Sequence, residues 1–447
     1  MIERLRPYPE YKDSGLPWLG RVPRHWEMRR TKVLLRERVE KDFPNEPLLA
    51  ATQSKGVVRK EDYGSRTVTA QKDFHLLKLV EVGDFVISLR SFEGGIEVAH
   101  SRGIISPAYT VLEPRSKATS GYLRHFFKSP TFISSLTLFV TGIREGQNID
   151  YERLSRAFLP LPPADEQTAI VRFLDHATRR LDKAIRAKRK TIALLNEQKQ
   201  AIIHRAVTRG LDPDVPLKDS GIPWLGQIPA HWEVCRVKDQ FTCLNPRRIP
   251  LSAVERGAMT SRKYDYYGAS GVIDKVDNFL FDDELLLIAE DGANLVLRNL
   301  PLAIIARGKF WVNNHAHILK PKSCNLEYMA GYLETLNYQP WISGAAQPKL
   351  TKDRLMSIAI AVAPATEQSI IVQHYSEQTQ PLISTIKATE REITLLREYR
   401  ARLIADVVTG KLDVREAAAG LPEVEEVPAD APELGEPEDS ADELAEA

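Results

Sequence analysis

The sequence predicts an α+β protein: two tandem α/β domains separated by two long helices packed as an antiparallel coiled coil, with pseudo-two-fold symmetry. Three observations predict it. The flanking segments of the chain occur twice, an apolar heptad seam follows each of two middle segments, and strand signals are confined to those middles.

The repeat opens the chain. Residues 12–32 read KDSGLPWLGRVPRHWEMRRTK and residues 218–238 read KDSGIPWLGQIPAHWEVCRVK, identical at 14 of 21 positions at an offset of 206. A second pair lies at an offset of 201: PADEQTAIV from Pro163 matches PATEQSIIV from Pro364, and VTRGLD from Val207 matches VTGKLD from Val408. The second middle is therefore five residues shorter than the first. Similar flanks around dissimilar middles describe a shared frame presenting two different binding surfaces. Drift after an old duplication would not spare the flanks so selectively.

In the first middle, LLKLVEVGDFVISLR and GIISPAYTVLEP are apolar, β-branched and bounded by Gly, Pro and Asp. In the second, NFLFDDELLLIAEDGAN and PLAIIARGKFWVNNHAHILKP read the same way. Only Phe85 to Ser88 and Leu285 to Ala289 align between the two, and weakly. Short helices close each middle, in SGYLRHFFKSPTFISSL and LEYMAGYLETLNYQPWI.

Asp165 and Thr366 read as helix caps after Pro-rich stretches, with Glu166 and Glu367 in the first turn. Leu174, Leu181, Ile185, Ile192, Leu195 and Ile202 then recur at intervals of seven, four, seven, three and seven. Tyr375, Leu382, Ile386, Ile393, Leu396 and Leu403 keep the same intervals. Each helix of roughly 43 residues would be about 65 Å long and cannot bury its seam alone. Packing the two copies antiparallel places one middle domain at each end, far enough apart for DNA sites about a helical turn of 34 Å or more apart. The resulting segments are a first domain at 1–162, a helix at 163–211, a second domain at 212–363, a helix at 364–413 and an acidic tail at 414–447, expected to be disordered.

Charge separates the tail from the body. The chain has 61 Lys and Arg against 60 Asp and Glu over 447 residues, but residues 414–447 hold twelve acids and one base, leaving residues 1–413 at +12. A basic body without a long apolar run points to nucleic acid rather than a membrane. Cys235, Cys243 and Cys324 form no CxxC pair and no even-numbered framework, which argues against a disulfide scaffold or zinc cluster. Without a signal-peptide core near Met1 or eighteen consecutive apolar residues, the expected compartment is the cytoplasm.

The duplicated KDSG[LI]PWLG..P.HWE segment, the GDFVISLRSFEGG…GIISPAYTVL run, the GKFWVNNHAHILKP run and the paired P.[AT].EQ helix starts resemble the specificity subunit of type I restriction-modification systems, over residues 8 to about 413. The resemblance implies a non-catalytic DNA-binding subunit with two target recognition domains, each reading half of a bipartite double-stranded site. The helices would set the gap and dock two modification (adenine methyltransferase) subunits, and ATP-dependent restriction subunits would join for cleavage. It also implies that S-adenosylmethionine, ATP and Mg are bound by those partners and none by this chain. The acidic tail belongs to no motif of that family.

The residues themselves agree with an absence of catalysis: there is no GxxxxGK[ST] loop, no FxGxG with [ND]PP[YF], and no HExxH. Asp282, Asp283, Glu284, Glu290 and Asp291 could be a nuclease cluster, but acids ending or interrupting a strand are more often turn formers. His315 and His317 alternate on one strand face without a third metal ligand nearby. His25 and Trp26, repeated as His231 and Trp232, could stack on bases, yet their place in the shared frame favours a structural role. Trp18 and Trp224 read as further core anchors.

Base reading needs Arg or Lys for guanine and Asn or Gln for adenine on loops that reach the major groove. The candidates in the first middle are Gln53, Lys55, Arg59, Lys60, Arg66 and Arg90. In the second they are Arg262, Lys263, Tyr264, Asn294, Arg298, Lys309, Asn313 and Asn314. The run RRLDKAIRAKRK at Arg179 to Lys190 has seven bases and one acid, and reads either as a solvated helix face or as a contact for phosphate or an acidic partner. The alternative to a recognition subunit is a protein-binding adaptor attached to DNA without sequence preference.

Overall fold

Pro163 and Pro364 begin the two long helices. Their carbonyls accept from Gln167 N at 2.8 Å and Gln368 N at 3.0 Å, and the helices run Ala164–Arg209 and Ala365–Val408, 46 and 44 residues long. Asp165 and Thr366, expected as caps, lie inside the first turn, because the proline carbonyls before them are the ones turned into the helix. Pro381, in the second helix, is exposed and does not end it. The structure is a computed structural model that describes residues 5–53, 55–63, 73–89, 91–141, 148–344 and 348–422.

The chain forms two units, Met1–Ala187 with Glu392–Ala447, and Lys188–Arg391. The divisions fall inside the long helices, whereas the sequence suggests segments ending with them. Antiparallel pairing is the reason: the start of the first helix packs with the end of the second, so each unit takes half of each. In the first unit Leu174 and Leu403 share one core, and Asp182 pairs with Arg400. In the second, Val207 and Ile371 share a core with Ile203 and Tyr375 packed against it.

The seam faces inward along both helices. Leu174, Ile185, Ile386, Ile393 and Leu403 are buried, and Leu181, Ile192, Leu195, Ile202, Tyr375, Leu382 and Leu396 are half-buried, while Leu194 and Leu395 beside them are exposed. Between the apolar positions of the second helix stand Thr379 and Thr389, both buried, which the apolar pattern passes over.

In the first unit, strands Leu35–Arg38, Thr110–Pro114, Phe85–Ile87 and Glu97–Val98 form an antiparallel sheet in that order. Strand alternation divides its side chains between two cores. Phe85, Ile87 and Leu112 face the helices Lys117–Phe127 and Pro130–Leu136, whereas Val86 and Val111 face a smaller cluster with Leu49, Val57, Val80 and Ile105.

The second unit repeats this scheme on a larger sheet of six strands, in the order Phe241–Cys243, Ala316–Pro321, Phe281–Ala289, Ala303–Val312, Tyr264–Gly268 and Gly271–Val276. All neighbours are antiparallel except Tyr264–Gly268 with Ala303–Val312. Leu286 and Ile288 face helix Leu326–Thr335, and Leu285 and Leu287 face a separate core with Phe310, Val312 and Ile318. The weakly aligned runs at 85 and 285 are thus the corresponding strands, each buried on both faces.

The repeated motifs meet at one joint in each unit. Glu166 accepts from Trp26 Nε1 at 2.7 Å and from Tyr8 Oη, and pairs with His25 Nε2 at 2.7 Å. Glu367 pairs with His231 Nε2 at 2.7 Å and accepts from Trp232 Nε1 at 3.2 Å. Tyr122 Oη then donates to Val408 O at 2.8 Å, and Tyr328 Oη to Val207 O at 3.1 Å, fixing each head to the end of a long helix. Just past those ends Gly210 and Gly410 adopt φ of +75° and +76°. A Cβ on Gly410 would lie 2.3 Å from Pro23 Cδ, so the frame closes there only with glycine.

The aromatic anchors divide. Trp26 and Trp232 are fully buried, Trp18 is half-buried against Phe126 and Phe132, and Trp224 is exposed, edge-on to Trp341 at 5.2 Å.

The acidic tail does not begin at residue 414. Val414, Ala418 and Leu421 are buried in the first core, on a short helix at Arg415–Ala419. Their spacing of four and three gives one apolar face, a signal that composition averaged over 34 residues conceals. Residues 423–447 lie outside the described residues.

Candidate nucleic-acid interface

In the first head the hairpin Leu49–Thr52 with Gly56–Arg59 carries Gln53 exposed near its tip. Thr52 Oγ1 closes the turn, donating to Gly56 O at 2.9 Å and accepting from Lys55 N at 3.0 Å. Beside it runs the turn after Phe85–Ile87, which ends in helix Ser91–Gly94. Lys128 ties the two together: its ammonium donates to Gln53 O at 3.0 Å, to Gly94 O at 2.8 Å and to Glu97 Oε1 at 2.5 Å. The QSKG and SLRSFEGG stretches are thereby brought side by side. Arg59 is exposed and loosely paired with Glu61 at 3.7 Å, and Lys55 and Lys60 are half-buried. Arg66 and Arg90 lie outside the described residues.

Burial pushes the Glu97 carboxyl up to about 7, against the pull of Lys128. A carboxyl whose folded pKa lies above its unfolded value gives stability that is present below about pH 4.5 and lost as pH rises through about 7. The stability of the first unit is therefore expected to carry a component of about 3 kcal/mol that falls across this window. Glu97→Gln should flatten it, as read by urea unfolding at several pH values. An unchanged slope in the variant would remove Glu97 as its source.

In the second head the candidates separate into committed and available groups. Asn294 donates to Leu300 O at 3.0 Å and accepts from Leu300 N at 2.9 Å, holding its own turn. Arg298 reaches Leu336 O at 2.7 Å and Glu334 O, capping helix Leu326–Thr335. Asn313 is buried and its Oδ1 accepts from His315 N at 2.8 Å. Arg262, at φ +40°, donates its backbone N–H to Asp277 at 2.6 Å. These four shape loops. Lys263 and Asn314 are exposed, and neither side chain has a polar partner among the described residues. Tyr264 and the Lys309 ammonium share the ring of Phe279, at 5.1 and 4.8 Å. The tip with Asn314 follows Val312, and Phe279 stands beside the Lys309–Phe310 stretch of the same strand.

A buried hub the sequence reading missed supports the tip. Arg248 Nη1 donates to Glu290 Oε2 at 2.5 Å, Asn314 O at 3.1 Å and Ala316 O at 2.9 Å. Glu290 also pairs with Lys349 at 3.3 Å, and its backbone bonds His315 O and Leu350 N. Burial works to raise the Glu290 carboxyl, but Arg248, His317 and Lys349 overcome it and hold it below the ordinary range. His317, pushed down by burial, accepts from Asn245 Nδ2 at 2.8 Å and donates from Nε2 to Leu350 O at 2.7 Å. Its tautomer follows from those partners.

The acids considered for a nuclease do not converge. Asp282, Asp283 and Glu284 lie in the strand rather than at a turn and pair across it with Lys309, Lys320 and Arg307, while Asp291 pairs with His315. Among the described residues no three His, Cys, Asp or Glu side chains gather as metal ligands. The available chemistry is hydrogen bonding from loops held by buried ion pairs.

Residues 229–395 match the family described as the type I restriction modification DNA specificity domain. A putative type I restriction enzyme specificity subunit of Haemophilus influenzae is 36% identical over 132 residues, covering 29% of this chain and 33% of that protein. The putative MjaX specificity subunit of Methanocaldococcus jannaschii is 22% identical over 448 aligned residues, covering 89% of this chain and 96% of that one. Over most of its length the chain is similar to specificity subunits of type I restriction-modification systems. In fold it resembles a chain solved in work on complex assembly and conformational transition of the type I R-M system, with a TM-score of 0.58 at 16% identity, covering 88% of this chain and 99% of that one.

The sequence signal for the supporting groups was present but weak. Glu97 is an acid inside the apolar run GGIEVA, and Arg248 follows Arg247 in LNPRRIP. Neither sits in the repeated frame, so nothing paired them with Lys128 or Glu290. No helix among the described residues is long and apolar enough to cross a membrane.

Proposed function

We propose that this chain is the sequence-reading subunit of a type I complex, each head recognising one half of a bipartite double-stranded DNA target. One observation carries the reading: the two joints pair the same His, Trp and Glu of the repeat, while the heads they carry differ, with a four-stranded sheet in one and a six-stranded sheet in the other. A common frame with unlike heads suits a target with two unlike halves. The exposed groups at Gln53, Arg59, Lys263, Lys309 and Asn314 have the chemistry for base edges and phosphates.

The long helices set the gap between half-sites and dock two adenine methyltransferase subunits through the faces their seam leaves outside. ATP-driven restriction subunits join for cleavage. Catalysis lies in those partners, which bind S-adenosylmethionine, ATP and Mg, and the complex works in the cytoplasm.

The test is a genome-wide map of methylated adenine in cells with and without this gene. Loss of one gapped, two-part motif on deletion is the expected result. Identical maps in cells expressing the partner subunits would refute the reading.

A further inference from the structure

The first long helix carries a basic stripe whose foot touches Leu421 and Pro422, the last described residues. At about 3.6 residues per turn, positions 172, 179, 183 and 186 fall within about 60° of arc on one face. Arg179, Lys183 and Arg186 are exposed and make no ion pair among the described residues. Asp175 and Asp182, the nearest acids on the helix, are engaged by Arg124, His125 and Arg400. Arg172 sits at the foot of the stripe and donates to Leu421 O and, at 3.3 Å, to Pro422 O. The chain beyond Pro422 therefore starts from the stripe itself, with eleven acids and no base in residues 423–447.

Length and charge both match. The stripe from 172 to 186 spans about 21 Å, which about seven extended residues cover, and 25 residues follow Pro422. A tethered segment meets its site at an effective concentration in the millimolar range, which compensates for the weakness of each exposed ion pair.

We propose that residues 423–447 dock on the Arg179, Lys183 and Arg186 face of the first long helix and compete there with nucleic-acid phosphates. The segment is an internal polyanion that suppresses binding to non-target DNA. This goes beyond the sequence-reading function and depends on it only for the identity of the competitor.

Carbodiimide coupling of the full chain tests the contact. Lys183 should be joined within the same chain to one or more acids between Glu423 and Glu446 at low salt, and the link should be lost at about 0.5 M salt. A full-length variant with those eleven acids exchanged for Gln and Asn should bind a non-target duplex of about 30 base pairs roughly tenfold more tightly. Its salt dependence should be steeper by about three in log–log slope. In R179E/K183E/R186E the difference between acidic and neutral segments should vanish. Absence of the Lys183 link, links only between separate chains, or equal duplex binding with either segment would overturn the proposal. None of these readouts requires a known target sequence, so a failed methylation map leaves the test intact.

Discussion

Glu166→Ala is expected to destabilise the first unit by about 4 kcal/mol, and Glu367→Ala to destabilise the second by only about 1 kcal/mol. The two residues hold corresponding places in the repeat, but their surroundings differ. Glu166 is 2% exposed and is the common acceptor for the Trp26 indole and the Tyr8 hydroxyl, both buried. Its removal leaves two buried donors without a partner, each worth about 1–3 kcal/mol. Glu367 is 26% exposed, its bonds to Trp232 are 3.2 and 3.3 Å long, and no tyrosine joins it. Water can replace it. Urea unfolding followed by hydrogen exchange in each unit measures both variants, and equal losses would show that the joints are energetically alike.

Arg248→Ala should remove the half-site read by the second head while the first stays folded. The substitution leaves Glu290, 11% exposed, with Lys349 and His317 as its remaining neighbours, and breaking a buried pair in this way costs about 3 kcal/mol or more. It also releases the Asn314 and Ala316 carbonyls, which set the exposed tip. The expected result is loss of methylation at the whole bipartite motif, with thermal unfolding of the second unit shifted down and that of the first unchanged. The double variant Arg248→Met with Glu290→Leu separates folding from recognition. It should regain most of the stability, because apolar side chains of similar size fill the site without a buried charge, yet methylation should remain low because the loop carbonyls stay unheld. Restored methylation in that variant would mean that the hub supports the fold alone.

The candidate interface was partly legible before the fold. Choosing Gln53 and the turn after Phe85–Ile87 named two stretches that the structure brings side by side. Choosing Asn294, Arg298 and Asn313 named residues whose polar ends are taken by nearby backbone. A polar side chain in a loop looks the same in sequence whether it faces solvent or closes its own turn. Reading His25 and Trp26 as structural was sound for a reason that the repeat carries: both recur with the frame as His231 and Trp232. What they bind, a glutamate 140 residues further on, was visible only as a second repeated motif.

The sequence by itself determined the duplication, the two long helices with their inward seam, and strands in the apolar runs at 85 and 285. The duplication is read by direct identity, the helices by the heptad spacing of their apolar residues, and the strands by continuous apolar, β-branched runs, and such local patterns survive without knowledge of what packs against them. Only the tertiary structure decided that each unit takes half of both helices, that Lys128 with Glu97 and Arg248 with Glu290 hold the candidate loops, and that Val414 to Leu421 seal the first core. Those contacts join residues with no periodic relation, such as Lys128 and Glu97, 31 apart, and Arg248 and Glu290, 42 apart. Their partners are selected by chain topology and desolvation, and neither is encoded within a short window of residues.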